Sequence, residues 1–160
     1  MKKNLILILL VLCASCTSKA PRNVQDFNFD WRFSLGDAPE MSAPDYDDSG
    51  WRELHLPHDW SIEGEFSESN PSTPGGGALP GGIGWYRKHF TTPKGGQKVF
   101  VEFDGVFMNS TVFVNGTAAG TRPYGYSSFS YDITSLLKAL TPDGNMYLSS
   151  ARIRYSWYSL

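Results

Sequence analysis

From Phe27 to Ser34 the chain alternates without a break. Phe27, Phe29, Trp31 and Phe33 are aromatic, and Asn28, Asp30, Arg32 and Ser34 between them are polar. A helix would scatter those four rings around its axis, whereas a strand puts them on one face, because successive side chains point to opposite sides. The same period of two returns from Trp51 to Leu56, where Pro57 ends it, and from Gln97 to Asp104, where Val99, Val101 and Phe103 share a face. Trp85 to Phe90, Ser110 to Val114, Ala118 to Arg122 and Phe129 to Ile133 read as further short strands. Asn115-Gly116 is the strongest two-residue hairpin signal, since its turn needs positive φ at both central positions. Gly105 reads as a tight-turn residue after Asp104. Asp132 or Thr134 caps one or two helical turns near Ser135 to Leu140, closed by Pro142-Asp143-Gly144. Short strands at regular spacing, with no internal repeat and no βαβ alternation, predict an all-β chain folded as an antiparallel β-sandwich.

The amino terminus is a different kind of segment. Met1-Lys2-Lys3 is basic, Leu5 to Leu12 is apolar, and the small residues Ala14 and Ser15 precede Cys16. That order reads as a secretory signal peptide over 1–15, too short to span a bilayer of roughly 30 Å. Small residues before Cys16 suit a lipobox, which makes Cys16 the lipidation candidate, although Cys13 stands where an aliphatic residue is usual. The alternative is ordinary cleavage near Ser15 or Ser18. Both cysteines lie in this region, so the domain that follows has no disulfide available and depends on its core. Cleavage before Cys16 removes two lysines and takes the formal charge from −2 to −4. An acidic balance without clustered Lys and Arg excludes a nucleic-acid partner. The expected organisation is a tether over 16–26, a sandwich domain over 27–145 and a divergent tail over 146–160. The expected location is the periplasm or a membrane surface of a Gram-negative bacterium.

The stretch from Ser67 to Gly84 breaks any regular element with Pro71, Pro74, Gly75 to Gly77, Pro80 and Gly81-Gly82. Loops of this length inside a compact domain carry function or are linkers. Four motifs then become specific in their order: Leu56-Pro57-His58-Asp59-Trp60; Gly84-Trp85-Tyr86-Arg87-Lys88-His89-Phe90; Phe103-Asp104-Gly105-Val106 with Val112 to Gly116; and Tyr124-Gly125-Tyr126 with Phe129 to Thr134. In this order they resemble the N-terminal sugar-binding jelly roll of glycoside hydrolase family 2, a galactose-binding-like sandwich, and most of all its β-galactosidase branch. The resemblance covers about Phe27 to Asn145. It implies a carbohydrate partner of β-galactoside type and a separate catalytic barrel. It also implies that the loop from Ser67 to Gly84 holds the substrate-binding candidates, near the mouth of that barrel. After Asn145 the pattern is lost, which reads as an interrupted or truncated frame. Tyr147, Leu148, Ile153 and Tyr155 offer a makeshift last strand.

The residues themselves carry little chemistry. Trp60 and Trp85 suit core positions better than ligand platforms. Tyr86 and Arg87 read as inter-sheet or inter-domain packing. His55, His58 and Asp59 form H-x-x-H-D, but a zinc site needs at least three ligands, and a buried histidine bonded to backbone is the expected alternative. No metal and no cofactor is expected. Glycosidic hydrolysis needs a carboxyl pair about 5–10 Å apart; Asp45, Asp47, Asp48, Glu63, Glu65 and Glu68 all read as solvated turn or loop residues. No catalytic residue is therefore assigned. The expectation is an accessory fragment of an O-glycosyl hydrolase, inactive alone. The rival is a free-standing carbohydrate-binding surface lipoprotein.

Overall fold

The computed structural model describes residues 22–71, 77–91, 93, 97–138, 145–149 and 151–155. Residues 1–21, which hold the expected signal peptide and Cys16, and the middle of the Pro/Gly-rich stretch lie outside them. The strands are β1 (Trp31–Leu35), β2 (Arg52–Leu54), β3 (Gly82–Thr91), β4 (Phe100–Phe103), β5 (Ser110–Val114), β6 (Thr117–Arg122), β7 (Phe129–Asp132), β8 (Asn145–Ser149) and β9 (Ala151–Tyr155). One sheet runs β2-β1-β3-β9-β5-β6, with β8 also on β3, and a second sheet is the pair β4-β7. Every pairing between them is antiparallel.

The alternation seen in the sequence builds the interior. Trp31 and Phe33 of β1, Tyr86 of β3, and Val112 and Val114 of β5 project from the large sheet. They meet Val101 of β4 together with Ile133 and Leu137 just beyond β7. Val112 and Val114 are 1% and 0% exposed, so their methyl groups contribute about their full transfer free energy, roughly 1.5–3 kcal/mol each. The sheets come close where side chains are small. A Cβ on Gly120 would lie 2.3 Å from a ring carbon of Tyr131, so the tyrosine occupies the space a side chain on β6 would take.

Strand β3 is buried on both faces. Tyr86 and Lys88 face the core, while Trp85 and Arg87 face a strap, residues 36–51, that crosses the outside of the large sheet. Trp85 stacks on Phe113 of β5, with ring centroids 5.8 Å apart at 22°. Arg87 is 0% exposed and donates to the carbonyl oxygens of Met41 (2.6 Å), Ala43 (2.9 Å) and Tyr46 (3.3 Å). Its guanidinium lies 5.6 Å from the ring centres of both Tyr46 and Trp51. The far end of the strap rests on the β5–β6 hairpin, where Pro44 approaches Gly116. Asn115 and Gly116 take φ of 49° and 77°, the double positive turn expected from that dipeptide.

Several boundaries differ from the sequence reading. The run from Phe27 to Ser34 becomes a strand only from Trp31, because Asp30 adopts φ of 56° and leaves Phe29 at the surface. Trp51 to Leu56 shortens to Arg52–Leu54 ahead of a cis Leu56–Pro57 bond. Gly105 does not take a left-handed turn conformation; Asn109, with φ of 59°, does. Gly82, Ile83 and Gly84 begin β3, although the Pro/Gly run reads as a loop as far as Gly84. After β7, Asp132 Oδ1 accepts the Thr134 amide at 3.0 Å and a short 3-10 turn follows over Leu136–Lys138. β8 and β9 fall in the segment set apart as the tail, and their backbones place Tyr147 opposite His89, Leu148 opposite Lys88, Ile153 opposite Gly84 and Tyr155 opposite Gly82.

Candidate functional site

The stretch from Ser67 to Gly84 is tied at its neck. The Ser67 amide donates to the Ala78 carbonyl at 3.1 Å, and Asn70 Nδ2 donates both to that oxygen (2.8 Å) and to the Glu65 carbonyl (2.9 Å). A spacer would have no reason to close on itself, since each bond has to offset the entropy of ordering its residues. Residues 72–76, at the middle of the stretch, lie outside the described residues.

Below the neck the packing explains the glycines. Asp59 Oδ1 accepts from the amide and the hydroxyl of Ser61, both at 2.9 Å, and so caps a 3-10 turn over Trp60–Glu63. That turn drives Trp60, 5% exposed, under the start of β3. A Cβ on Gly84 would come within 2.9 Å of both the Trp60 indole nitrogen and the Phe33 ring, and one on Gly64 would fall 2.3 Å from Pro80. Gly84 leaves space for Trp60 and Phe33, and Gly64 for Pro80. Trp60 and Trp85 are thus core residues, as expected.

The rim is apolar and exposed. Ile62 and Phe66 are 67% and 75% exposed, and Leu35, at the end of β1, is 58% exposed. Between the β1 end and the β3 start runs an open groove of about 310 Å³, lined by Leu35, Gly36, Asp37, Gly81, Gly82 and Ile83. The Trp85 indole donates to Asp37 Oδ1 at 3.4 Å beside it.

The H-x-x-H-D motif divides between two jobs. His55 is exposed and its Nδ1 accepts the Asp30 amide at 3.2 Å. His58 is largely buried, and its partners are side chains: Tyr86 hydroxyl at Nδ1 (2.8 Å), and Arg52 (2.6 Å) and Glu63 (3.2 Å) at Nε2. The expectation of a buried histidine held by backbone is corrected on that point. Arg52 also forks onto Glu63 at 2.8 and 3.1 Å. Among the described residues no three metal-ligating side chains converge.

Asp48 also departs from its reading as a solvated turn residue. It is 4% exposed and ties together Arg32, His89 (2.6 Å) and Arg87 (3.6 Å). Burial alone would raise its carboxyl, but the hydrogen bond and charge of His89, then those of Arg32, outweigh burial and hold it below the ordinary carboxylate value. Glu63 is held low by the hydrogen bond from Arg52 and then by His58. Asp47 is lowered by backbone and hydroxyl bonds from Ser49, and Asp132 by bonds from Thr134. A general acid needs its carboxyl raised toward neutrality. These four are all shifted the opposite way, toward structural ion pairs and caps.

Fold and site together describe an accessory module: an antiparallel sandwich offering a pinned loop and an apolar rim, with its shifted carboxylates committed to architecture. No protein-family model matches the chain. It is 59% identical over 128 residues, 79% of its length, to the β-galactosidase BoGH2A of Bacteroides ovatus, and 46% identical over 134 residues, 82% of its length, to a putative β-glucuronidase of Formosa agariphila. Among solved structures it resembles a β-glycosidase from Bacteroides vulgatus (TM-score 0.74, 41% identity, 83% of this chain and 18% of that one). It also resembles a glycosyl hydrolase family 2 member from Bacteroides cellulosilyticus (TM-score 0.68, 34% identity, 84% and 19%). The chain belongs to glycoside hydrolase family 2, as the counterpart of its N-terminal sandwich domain. It spans 15% and 13% of the length of the two curated relatives.

Proposed function

We propose that this sandwich serves a β-glycoside hydrolase of the β-galactosidase branch as the accessory domain that docks beside a catalytic barrel and lends the 67–84 loop to the sugar subsite. The observation that carries the reading is the rim. Ile62 and Phe66, just ahead of the hydrogen-bonded neck, and Leu35, on the groove, are each exposed, and exposed large apolar side chains of this kind suit an interaction surface. The relatives named above act on glycosides by name, and a domain of this size in them accompanies a much longer chain. In this reading bond cleavage resides in the barrel, and the sandwich positions the glycan.

The test is a chimera. Replacing the matched 128-residue segment of the Bacteroides ovatus β-galactosidase with this chain's own is expected to preserve turnover of nitrophenyl β-galactoside, while the isolated chain turns over none. A folded chimera without activity would sink the accessory role, and turnover by the chain alone would sink the division of labour. The same proposal places the protein outside the cytoplasm, anchored through lipid on Cys16. Labelling with an alkyne fatty acid should mark the wild-type chain and not Cys16→Ser; equal labelling of both would exclude the anchor.

A further inference from the structure

A second group of rings stands at the edge of the sandwich, formed by loops 104–109 and 123–128. Tyr124 and Tyr126 are 58% and 68% exposed. Their ring centroids lie 5.8 Å apart at 62°, and Phe107 meets Tyr126 edge-on at 5.9 Å. The two tyrosines are held out rather than loosely displayed. A Cβ on Gly125, between them, would fall 2.7 Å from the Met108 amide nitrogen, so the two loops touch backbone to backbone. The Asn109 amide donates to the Pro123 carbonyl at 3.1 Å, and Arg122 donates to the Ser127 hydroxyl at 2.7 Å across the base of the second loop. Rings fixed in this way are pre-organised, so a ligand meets them without the entropic cost of ordering them.

The pairing register fixes where these rings lie. β9 runs antiparallel to β3, with Gly82 opposite Tyr155 and Gly84 opposite Ile153, and antiparallel to β5, with Thr111 opposite Arg152 and Val112 opposite Ala151. β3 and β5 are therefore parallel to each other, and the register carried through β9 sets Ser110 level with Gly84 and the position of Met108 level with Gly82. The loop ahead of β5 emerges at the same end of the sheet as the groove ahead of β3. The two are separated by two strand spacings, about 10 Å.

We infer that Tyr124 and Tyr126 form a stacking platform for a sugar unit of a β-linked oligosaccharide whose terminal unit lies at the groove lined by Leu35, Asp37 and Gly82. This rests on the carbohydrate reading proposed above and extends it to a substrate class: oligosaccharides, not simple glycosides. A pyranose has apolar C–H faces and a hydroxyl rim, which match the face and the phenolic tip of a tyrosine. The exposed neighbours, Asp104, Asn109 and Ser128, are polar groups suited to that rim. Size argues against a protein partner on this patch. Two tyrosines offer about 300–500 Å², short of the roughly 800 Å² per side of a stable protein interface but enough to cover a sugar.

Calorimetric titration of the full chain with β-1,4-galactotetraose, and with galactose as the short control, tests the platform. Tyr124→Ala and Tyr126→Ala should each weaken tetraose binding fivefold or more and leave thermal unfolding unchanged. Tyr126→Phe should stay within about twofold of the wild type, and Phe100→Ser, at an exposed ring on β4 outside these loops, should change nothing. Equal tetraose affinity in the alanine variants, an equal loss in Phe100→Ser, or no tetraose binding by the wild-type chain would each overturn the platform. The two proposals fail separately. An active chimera with no tetraose binding by the chain removes the platform alone, whereas an inactive chimera with Tyr124-dependent binding removes the accessory role alone.

Discussion

Arg87 is the residue on which the outer layer depends. It lies in the motif that carries the family resemblance, yet its work here is to collect three backbone carbonyls and the Asp48 carboxylate under two aromatic rings. Removing one partner of a buried charged network costs about 3–5 kcal/mol, because the others are left desolvated and unpaired. Arg87→Met should therefore lower unfolding free energy by about that amount in urea titration, and a loss under about 1 kcal/mol would contradict the network. Asp48 sets the acid limit. Its carboxyl is lowered in the fold, so the stability it contributes is present above the unfolded value near 3.9 and is lost as pH falls through its lower folded value. Thermal melts of the wild type should fall steeply below about pH 4, and those of Asp48→Asn should start lower at neutral pH and flatten there. A parallel slope in both would show that other carboxylates dominate.

Elements were legible where their signal is local. Alternation announced β1, β4, β5 and β7, and Asn115-Gly116 announced the hairpin with its positive φ values. The sequence misled where a residue's reason lies far along the chain. Gly82 and Gly84 look like loop punctuation, but both lie in β3, and Gly84 yields its space to Trp60, which no window around either glycine contains. Asp48 looks solvated because His89 lies 41 residues away, joined to it only by folding. Tyr124-Gly125-Tyr126 was visible as a motif, and its exposure was not. The loop from Ser67 to Gly84 is visible in the sequence as a Pro/Gly-rich stretch, but the hydrogen bonds that close its neck are beyond reach of periodicity. Packing between β6 and β7 gives an element-scale test. Gly120→Ala would force the Tyr131 ring aside and should cost about 1–3 kcal/mol, the usual range for overpacking. Adding Tyr131→Phe should not restore it, since the collision is with the ring; full recovery would mean the strands can slide.

For the whole molecule, the exposed rim and the buried layers make opposite demands. Ile62 and Phe66 stand out from the surface, and substitutions at such positions usually move stability by no more than about 0.5 kcal/mol. Ile62→Ser with Phe66→Ser should therefore leave the melting temperature of the isolated chain nearly unchanged, reduce its self-association in light scattering, and weaken activity in the chimera. If the pair instead melts the fold, the rim belongs to the core and the docking surface must be sought elsewhere.

The strap over β3 has a corollary for how such a sandwich can vary. Arg87 grips main-chain carbonyl oxygens, which every amino acid supplies, so at Met41, Ala43 and Tyr46 these bonds do not depend on which side chain is present. Drift at Met41 and Ala43 is tolerated as long as the path of the segment is kept, while the guanidinium beneath cannot be exchanged, nor can Asp48, whose carboxylate is itself a partner. The outer skin of the domain can diverge where only its carbonyls are held, and is fixed where Asp48 and the two rings meet the sheet.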